Sequence, residues 1–190
     1  MHARRTSTSS RVTVRPATEP DLPEVAAMVQ EFVRGHPAEQ HPRPLARLRQ
    51  AYFGTEPVAR VTVACSRGRI VGMGQWTRIY DMFWGMFGGE VAWLYVRPQM
   101  RGLGMAAAIV AEICCQVRHA GGEFVHGSAQ EAGNAALYGR VATVMEGASR
   151  ECHLSAEAFQ SFADLAGLAP REIVRRLPGS GLNRTAARPR

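Results

Sequence analysis

The chain has 190 residues, of which 46% are hydrophobic and 21% charged, the proportions of one ordinary globular domain. It lacks the run of ~18 apolar residues that a membrane-spanning helix needs, and residues 6–10 are polar where a secretory signal would be apolar, so we expect a cytoplasmic protein without membrane contact. The formal charge of +7 is carried by the ends, with +4 in residues 1–16 and +5 in residues 170–190, while the body carries −2; charge alone therefore does not indicate a nucleic-acid-binding domain.

The N-terminal third is predicted to contain one strand and two helices. Residues 1–11 are expected to be a disordered lead, and 12–15 a short strand. A helix should follow, capped by Asp21 with Pro23 in its first turn, because apolar residues recur on one helical face. These apolar residues are Val25, Met28, Val29, Phe32 and Val33. A shorter helix follows Pro44 and stops at Gly54.

The middle of the chain predicts a mixed sheet. Strands are expected at 58–65, 70–80, 90–96, 123–128, 142–146 and 149–154, and helices at 104–119 and 134–140. Strands joined by short turns pair antiparallel, whereas the strand–helix–strand passage over 90–128 requires a parallel pair. The sequence therefore predicts a single α/β domain over residues 12–154.

The turn from Gln99 to Ala106 carries the clearest chemical signal. It follows an apolar strand and opens an amphipathic helix, and Gly102 and Gly104 allow the backbone to approach a ligand closely. The first N–H groups of a helix lack internal acceptors and carry partial positive charge, which suits a pyrophosphate. The alternative is a tight strand-to-helix turn that happens to contain glycines.

Two motifs connect this turn with a known family. Gln99-Met100-Arg101-Gly102-Leu103-Gly104 fits the pattern Q/R-x-x-G-x-G/A, and Asn134 and Tyr138 follow on a later helix. In these motifs, and in its element order, the chain resembles the GNAT superfamily of acetyltransferases. The resemblance implies the GNAT-type acyl-CoA N-acyltransferase fold and acetyl-CoA as co-substrate. The cofactor-binding residues that it implies are Leu94, Val96, Gln99, Arg101, Gly102, Leu103, Gly104, Met105, Ala106 and Asn134.

The resemblance also implies two catalytic residues. Tyr138 is expected to be the general acid that protonates the leaving CoA thiolate; its alternative role is an amphipathic tyrosine packed at the sheet edge. Glu90 is expected to be the general base, acting through water, and its alternative is a solvated carboxylate. Weaker candidates for the base are Asp81, His126 and His153. The cysteines lack metal-ligand spacing, so we expect no metal. The resemblance implies direct transfer to a primary amine in a ternary complex, and the ordinary sequence contexts of the four cysteines argue against a covalent acetyl-enzyme.

The acceptor is less well marked. The predicted loop 80–89 is apolar for a hairpin tip, and Tyr80 and Trp84 are its candidate substrate-binding residues. The same surface is predicted, with slightly more weight, to be a homodimer contact. Residues 80–101 resemble the diamine branch of the superfamily, but Ala92 and Trp93 stand where that branch has adjacent acids. A polyamine would lack its counter-charges here, so aromatic, apolar or peptide amines stay open as acceptors.

Beyond residue 154 the chain departs from the minimal family. Residues 155–178 predict a helical extension and 179–190 a basic flexible tail. An amphipathic cap over the domain is favoured there over a helix-turn-helix. The alternative function is a diverged module that binds nucleic acid, or an RNA-linked acceptor, through its arginine-rich termini. Truncation after Leu154 is therefore expected to spare acetyl transfer and to abolish any DNA retention.

Overall fold

A computed structural model describes residues 12–128, 140, 143–145 and 151–177. The predicted lead, the tail beyond residue 177, and the motif residues Asn134 and Tyr138 lie outside the described residues. The helices are α1 (Leu22–Phe32), α2 (Leu45–Phe53), α3 (Met105–His119), α4 (Ala156–Ala163) and α5 (Pro170–Arg176). The strands are β1 (Thr13–Pro16), β2 (Arg60–Ser66), β3 (Arg69–Asp81), β4 (Met86–Val96), β5 (Phe124–Ser128), β6 (Thr143–Met145) and β7 (Glu151–Ser155).

The strands form one mixed sheet in the order β1-β2-β3-β4-β5-β7-β6. Short turns join β2 to β3 and β3 to β4, and both pairs are antiparallel. The passage from β4 through α3 to β5 gives the parallel pair, which joins Gly88–Val91 to Phe124–Gly127. The predicted α/β mixed sheet is confirmed, and its parallel pair lies at the centre of the sheet.

Helices cover both faces of the sheet and divide the core into two layers. On one face, Val25 and Met28 of α1 pack on apolar residues of β2 and β3. On the other face, α3 buries nine of its residues against the sheet, and Trp76 of β3 is only 1% exposed there. The helices α4 and α5 lie on the α3 side, and Phe159 and Ile173 belong to the same core as α3. The C-terminal helices therefore share the main hydrophobic core.

The start of α1 differs from its prediction. Asp21 has helical backbone angles, and its side chain accepts no hydrogen bond from the N–H groups of the first turn of α1. Its carboxylate instead accepts hydrogen bonds from the Thr18 N–H at 2.7 Å and the Thr18 hydroxyl at 2.8 Å. The same carboxylate pairs with Arg15 of β1 at 2.6 and 3.0 Å. Asp21 therefore closes the turn before α1 and joins this turn to the edge strand β1. An aspartate at this position in the sequence fits either this role or that of an N-cap, so residue type alone does not decide between them.

The β3–β4 hairpin also differs from its prediction. Strand β4 begins at Met86 and not at Glu90, because Tyr80 pairs with Phe87 and Asp81 with Met86. The predicted loop is thus mostly strand, and only residues 82–85 turn. The Asp81 carboxylate accepts from the N–H groups of Phe83 and Trp84 at 2.8 and 3.1 Å, which fixes that turn. A similar shift moves the start of β2 from residue 58 to Arg60.

Among the described residues, no helix is both long and apolar enough to cross a lipid bilayer.

Candidate active site at the opening between β4 and β5

The turn before α3 presents a row of backbone amides that donate to no acceptor among the described residues. Gly102 and Gly104 have φ angles of +73° and +82°, in the left-handed region that favours glycine. The first backbone bond of the helix runs from Ala108 N–H to the Gly104 carbonyl at 3.0 Å. The N–H groups of residues 104–107 therefore have no acceptor within α3, and those of Gly102 and Leu103 donate to no described residue, so the amide row comprises residues 102–107. This arrangement, with the positive end of the helix dipole, fits the diphosphate of an acyl-CoA.

Arg101 holds the turn against the end of β4. Its Nε donates to the Val96 carbonyl at 3.0 Å, and its guanidinium lies 6.0 Å from the centre of the Tyr95 ring. The rest of this exposed side chain makes no hydrogen bond with the described residues. Arg101 thus fixes the amide row beside the strand end and adds a positive charge there. Gln99 is exposed in the preceding 3-10 turn.

Strands β4 and β5 separate after a short pairing. Their last registered pair is Val91 and Gly127, and residues 92–96 of β4 pair with no described residue on the β5 side. Ala92 is an extra residue in β4 at this point, because Gln75 pairs with Trp93 and Trp76 with Val91. The sheet therefore opens next to the turn that carries the amides.

Residues 92–96 of β4, which lack a described partner on this side, expose backbone groups to the opening. The backbone N–H of Arg97 donates to the backbone carbonyl of Val71 in β3 at 3.0 Å. Because backbone groups alternate in direction along a strand, the polar groups of Leu94 and Val96 point away from β3 and toward the opening. Arg101 occupies the Val96 carbonyl. The Leu94 groups and the Val96 N–H can pair with an extended, amide-containing ligand.

An ion pair joins Arg97, directly after β4, to Glu31 of α1. Arg97 donates to both carboxylate oxygens of Glu31 at 2.9 and 3.1 Å, and to the Ile70 carbonyl at 2.9 Å. The hydrogen bond with Glu31 raises the pKa of Arg97. The end of β4, where the glycine turn begins, is thus joined to a helix on the opposite face of the sheet.

Glu90 lies where the opening closes. It is exposed on β4, in register with Thr77 on one side and His126 on the other. Val91 packs into the α3 core, so by strand alternation Glu90 faces the α1 side together with His126. A carboxylate and an imidazole are therefore neighbours at the closed end of the opening. His153 pairs in register with His126 on the far side of β5.

An aromatic cluster that the sequence analysis missed stands beside Glu90. The ring of Phe32, from α1, lies 5.2 Å from that of Trp93 and 5.6 Å from that of Tyr95. Trp93 is 48% exposed. The helical period of α1 predicts only that Phe32 faces the core, and no local sequence pattern shows that this helix meets β4 beyond the bulge at Ala92.

The predicted substrate residues lie farther away. Tyr80 is 58% exposed and Trp84 54% exposed, and the Tyr80 ring lies 5.0 Å from that of Phe87. Phe87 and Ala92 are separated by five residues of strand, about 17 Å. The structure thus brings Glu90, Trp93 and the amide turn to one opening, and places Tyr80 and Trp84 at the other end of the hairpin.

The described cysteines lie apart from this opening. Cys114 is fully buried in α3, where desolvation raises the pKa of its thiol, and Cys115 lies 3.6 Å from the His119 ring on the outer side of the helix. In the described part of the chain no three His, Cys, Asp or Glu side chains come together as a metal site would require. Among the described residues, the opening thus presents backbone amides, the Glu90 carboxylate and an aromatic surface.

A sequence model of the acetyltransferase (GNAT) family matches residues 25–141, which is more than half of the chain. The chain belongs to the GNAT acetyltransferase family. It is thus an acyltransferase by family, and the family uses acetyl-CoA as co-substrate. No curated protein sequence is similar enough to count as a relative.

Solved structures share the GNAT fold at low sequence identity. An aminoglycoside acetyltransferase from an uncultured soil metagenomic sample, in complex with sisomicin, has a TM-score of 0.55 and 17% identity over 66% of this chain and 82% of its own. The ribosomal-protein-alanine N-acetyltransferase of Brucella melitensis has a TM-score of 0.56 and 19% identity, and the match covers 75% of this chain and 99% of that protein. The PaiA N-acetyltransferase of Thermoplasma acidophilum, in complex with coenzyme A, has a TM-score of 0.55 and 13% identity, and the match covers 77% of this chain and 99% of that protein.

The resemblance to the diamine branch does not extend to the site of this GNAT acetyltransferase. The positions where that branch has adjacent acids are the bulge residue Ala92 and the half-exposed Trp93. Neither can supply counter-charge to a polycation. The membership that these findings support is that of the family as a whole.

Proposed function

We propose that the protein transfers an acetyl group from acetyl-CoA to a primary amine by direct attack in a ternary complex. The observation that carries this proposal is the end of the β4–β5 pairing at Val91 and Gly127, beside the free amides before α3. A diphosphate site and a free strand edge are the two features that an acyl-CoA requires, and here they adjoin.

The residues of the opening have separate binding roles in this proposal. The amides of residues 102–106, with Arg101, hold the diphosphate, and the backbone of Leu94 and Val96 pairs with the pantetheine arm. The thioester then lies near Ala92, where the opening closes. Acetyl-CoA supplies a thioester carbonyl that an amine can attack. The protein contributes chiefly by holding the two reactants in contact.

Two proton transfers complete the reaction. Glu90, acting through water, accepts a proton from the amine as the new C–N bond forms. Tyr138 donates a proton to the sulfur as the C–S bond breaks, so that an amide and a free thiol result. The exposure of Glu90 and its position next to the closed end of the opening support the first role. Family position alone supports the second.

The acceptor is proposed to approach from the α1 side. Trp93 and Phe32 form an aromatic wall there, one strand position beyond the bulge that follows Glu90. Such a wall attracts a cationic or aromatic amine, and Glu90 supplies the nearest acidic group on that strand. The fold neighbours named above act on an aminoglycoside or on a ribosomal-protein alanine. Small-molecule and peptide amines thus both remain within the proposed class.

A matched pair of glycine variants tests the proposal. Gly102 and Gly121 have φ angles of +73° and +79°, and a Cβ at either would meet nothing within 4 Å. Both glutamate substitutions therefore carry a similar backbone strain of about 1 kcal/mol, but only Gly102→Glu adds bulk and negative charge to the amide row. We expect calorimetry to show acetyl-CoA binding for the wild type and Gly121→Glu, and about 100-fold weaker binding for Gly102→Glu.

Gly104 is not suitable for this experiment, because a Cβ there would collide with α5. Absence of acetyl-CoA binding by the wild type would contradict the proposal. The arginine-rich termini would then become the leading indication of function, and retention on nucleic acid would be the next measurement.

A further inference from the structure

Helix α5 packs directly on the glycine turn. A Cβ at Gly104 would stand 2.8 Å from the carbonyl carbon of Pro170 and 2.9 Å from Cγ2 of Val174. Pro170 is buried. Gly104 therefore needs to be glycine for two reasons, its positive φ angle and the close approach of α5. The contact lies where a side chain of residue 104 would project. Helix α5 of the C-terminal extension therefore lies next to the amide row.

The other end of α5 is fixed as well. Arg140 donates to the carbonyls of Val174 and Leu177 at 3.2 and 3.0 Å, and Ile173 and Leu177 are buried in the α3 core. These carbonyls lie at the C-terminal end of the helix, where a guanidinium is favourable. Helix α5 is thus held at both ends next to the turn that we assign to the diphosphate.

Arg171 of α5 carries a positive charge that has no partner among the described residues. Arg171 is exposed and makes neither an ion pair nor a hydrogen bond with the described residues. By contrast, Arg176 pairs with Glu172 on the same helix. Arg171 directly follows Pro170, so its Cα is about 3.8 Å from that of the residue in contact with Gly104.

Helical geometry places Arg171 at the edge of the contact. With about 100° per residue, Arg171 lies on the Val174 side of Pro170, away from the core residues Ile173 and Leu177. Arg175 is also exposed and unpaired among the described residues, but it lies a full turn farther from Gly104. A guanidinium is the side chain best suited to bind phosphate oxygens in pairs.

We infer that Arg171 binds a phosphate group of acetyl-CoA, so that the C-terminal extension is part of the co-substrate site. This inference rests on the proposed function above. It adds a residue from outside the region of the family match, which ends at residue 141. The diphosphate and the ribose 3′-phosphate present the same chemistry to a guanidinium, and the experiment separates them.

The test compares Arg171→Gln with the matched control Arg175→Gln in the full-length chain. We expect calorimetry to show about tenfold weaker acetyl-CoA binding for Arg171→Gln, equivalent to one charge-assisted hydrogen-bonded contact, and binding within twofold of wild type for Arg175→Gln. With S-acetylpantetheine, which lacks phosphates, the Arg171→Gln and wild-type enzymes should have equal kcat/KM for any accepted amine. Arg171→Lys should recover part of the binding.

Dephospho-CoA identifies the phosphate. If Arg171→Gln weakens its binding as well, the diphosphate is the ligand; if the effect is lost, the 3′-phosphate is. Equal acetyl-CoA affinity for the wild type and both glutamine variants would overturn this inference and leave the proposed function standing. Failure of the wild type itself to bind acetyl-CoA would instead overturn the proposed function.

Discussion

Thr62 of β2 and Gln116 of α3 are joined by a hydrogen bond of 3.0 Å inside the interface between sheet and helix. Thr62 is fully buried. Gln116 also accepts from the indole N–H of Trp76 at 3.2 Å and donates to Glu112 at 3.1 Å. One amide side chain thus satisfies three polar groups, and burial raises the pKa of Glu112 at the edge of this network. The network fixes the sideways position of α3, and with it the turn before that helix.

Gln116→Ala should therefore be costly. The change leaves the Trp76 N–H and the Thr62 hydroxyl buried without partners, and we expect it to lower the free energy of unfolding by about 2–3 kcal/mol. Urea titration measures this directly. The control is Gln160→Ala on the exposed side of α4, which should stay within about 0.5 kcal/mol of wild type. Equal losses in the two variants would show that the network contributes nothing specific.

The ion pair between Arg15 and Asp21 should make stability depend on acid pH. The hydrogen bonds from Arg15 hold the pKa of Asp21 well below its usual range, with a further contribution from Thr18. A depressed pKa means that the stabilisation is complete above the unfolded value of about 3.9 and is lost as pH falls toward the folded value. Asp21→Asn should cost about 1–2 kcal/mol at neutral pH, and the difference from wild type should shrink below pH ~4.

The control for this experiment is Asp164→Asn, which removes an exposed ion pair with Arg118. Its effect at neutral pH should be below about 1 kcal/mol, because solvent screens exposed pairs. Chemical denaturation between pH 2 and 7 compares both variants. A difference in the free energy of unfolding between wild type and Asp21→Asn that stays constant down to pH 2 would contradict the interpretation.

Removal of the C-terminal helices should unfold the protein. The sequence led us to expect that truncation after Leu154 spares acetyl transfer, but Phe159 and Ile173 are 0% and 1% exposed in the core shared with α3. Phe159→Ala should lower stability by about 3–5 kcal/mol, and Ser161→Ala, at an exposed position, by less than about 0.5 kcal/mol. A truncated chain with wild-type stability would show that the shared core is dispensable.

Glu90→Gln should change the pH dependence of acetyl transfer. Without a base, the reaction depends on amine that is already deprotonated, so the loss of kcat/KM should be largest at low pH and recover as pH rises, about 10²–10⁴-fold at its greatest. His126→Asn serves as the comparison on the adjoining strand. Activity that Glu90→Gln leaves unchanged at every pH would exclude Glu90 as the base.

Tyr138→Phe should lower kcat and leave acetyl-CoA affinity intact. Loss of the hydroxyl removes the proton donor for the leaving thiolate, with an expected reduction of about 10²-fold in kcat. The measurement pairs steady-state kinetics with calorimetry on the same preparation. Unchanged turnover would reduce Tyr138 to a packing residue.

The elements that the sequence predicted well are those with a strong local signal. The glycine turn, the periodicity of α3 and the stop of α2 at Gly54 all depend on neighbouring residues. The hairpin end was misplaced because an apolar strand extension and an apolar loop have the same composition, and only the pairing of Tyr80 with Phe87 distinguishes them. The contact of Pro170 with Gly104 joins residues 66 positions apart, and no local pattern encodes it.

The three tryptophans differ in solvent exposure, so they can serve as intrinsic fluorescence probes of different parts of the protein. Trp76 is sealed in the core, Trp84 stands at the hairpin tip, and Trp93 lies half exposed beside the opening between β4 and β5. A ligand entering that opening would quench or shift the emission of Trp93 while the blue-shifted emission of Trp76 stays constant. Intrinsic fluorescence can therefore report occupancy and unfolding as two separate signals from one unlabelled sample.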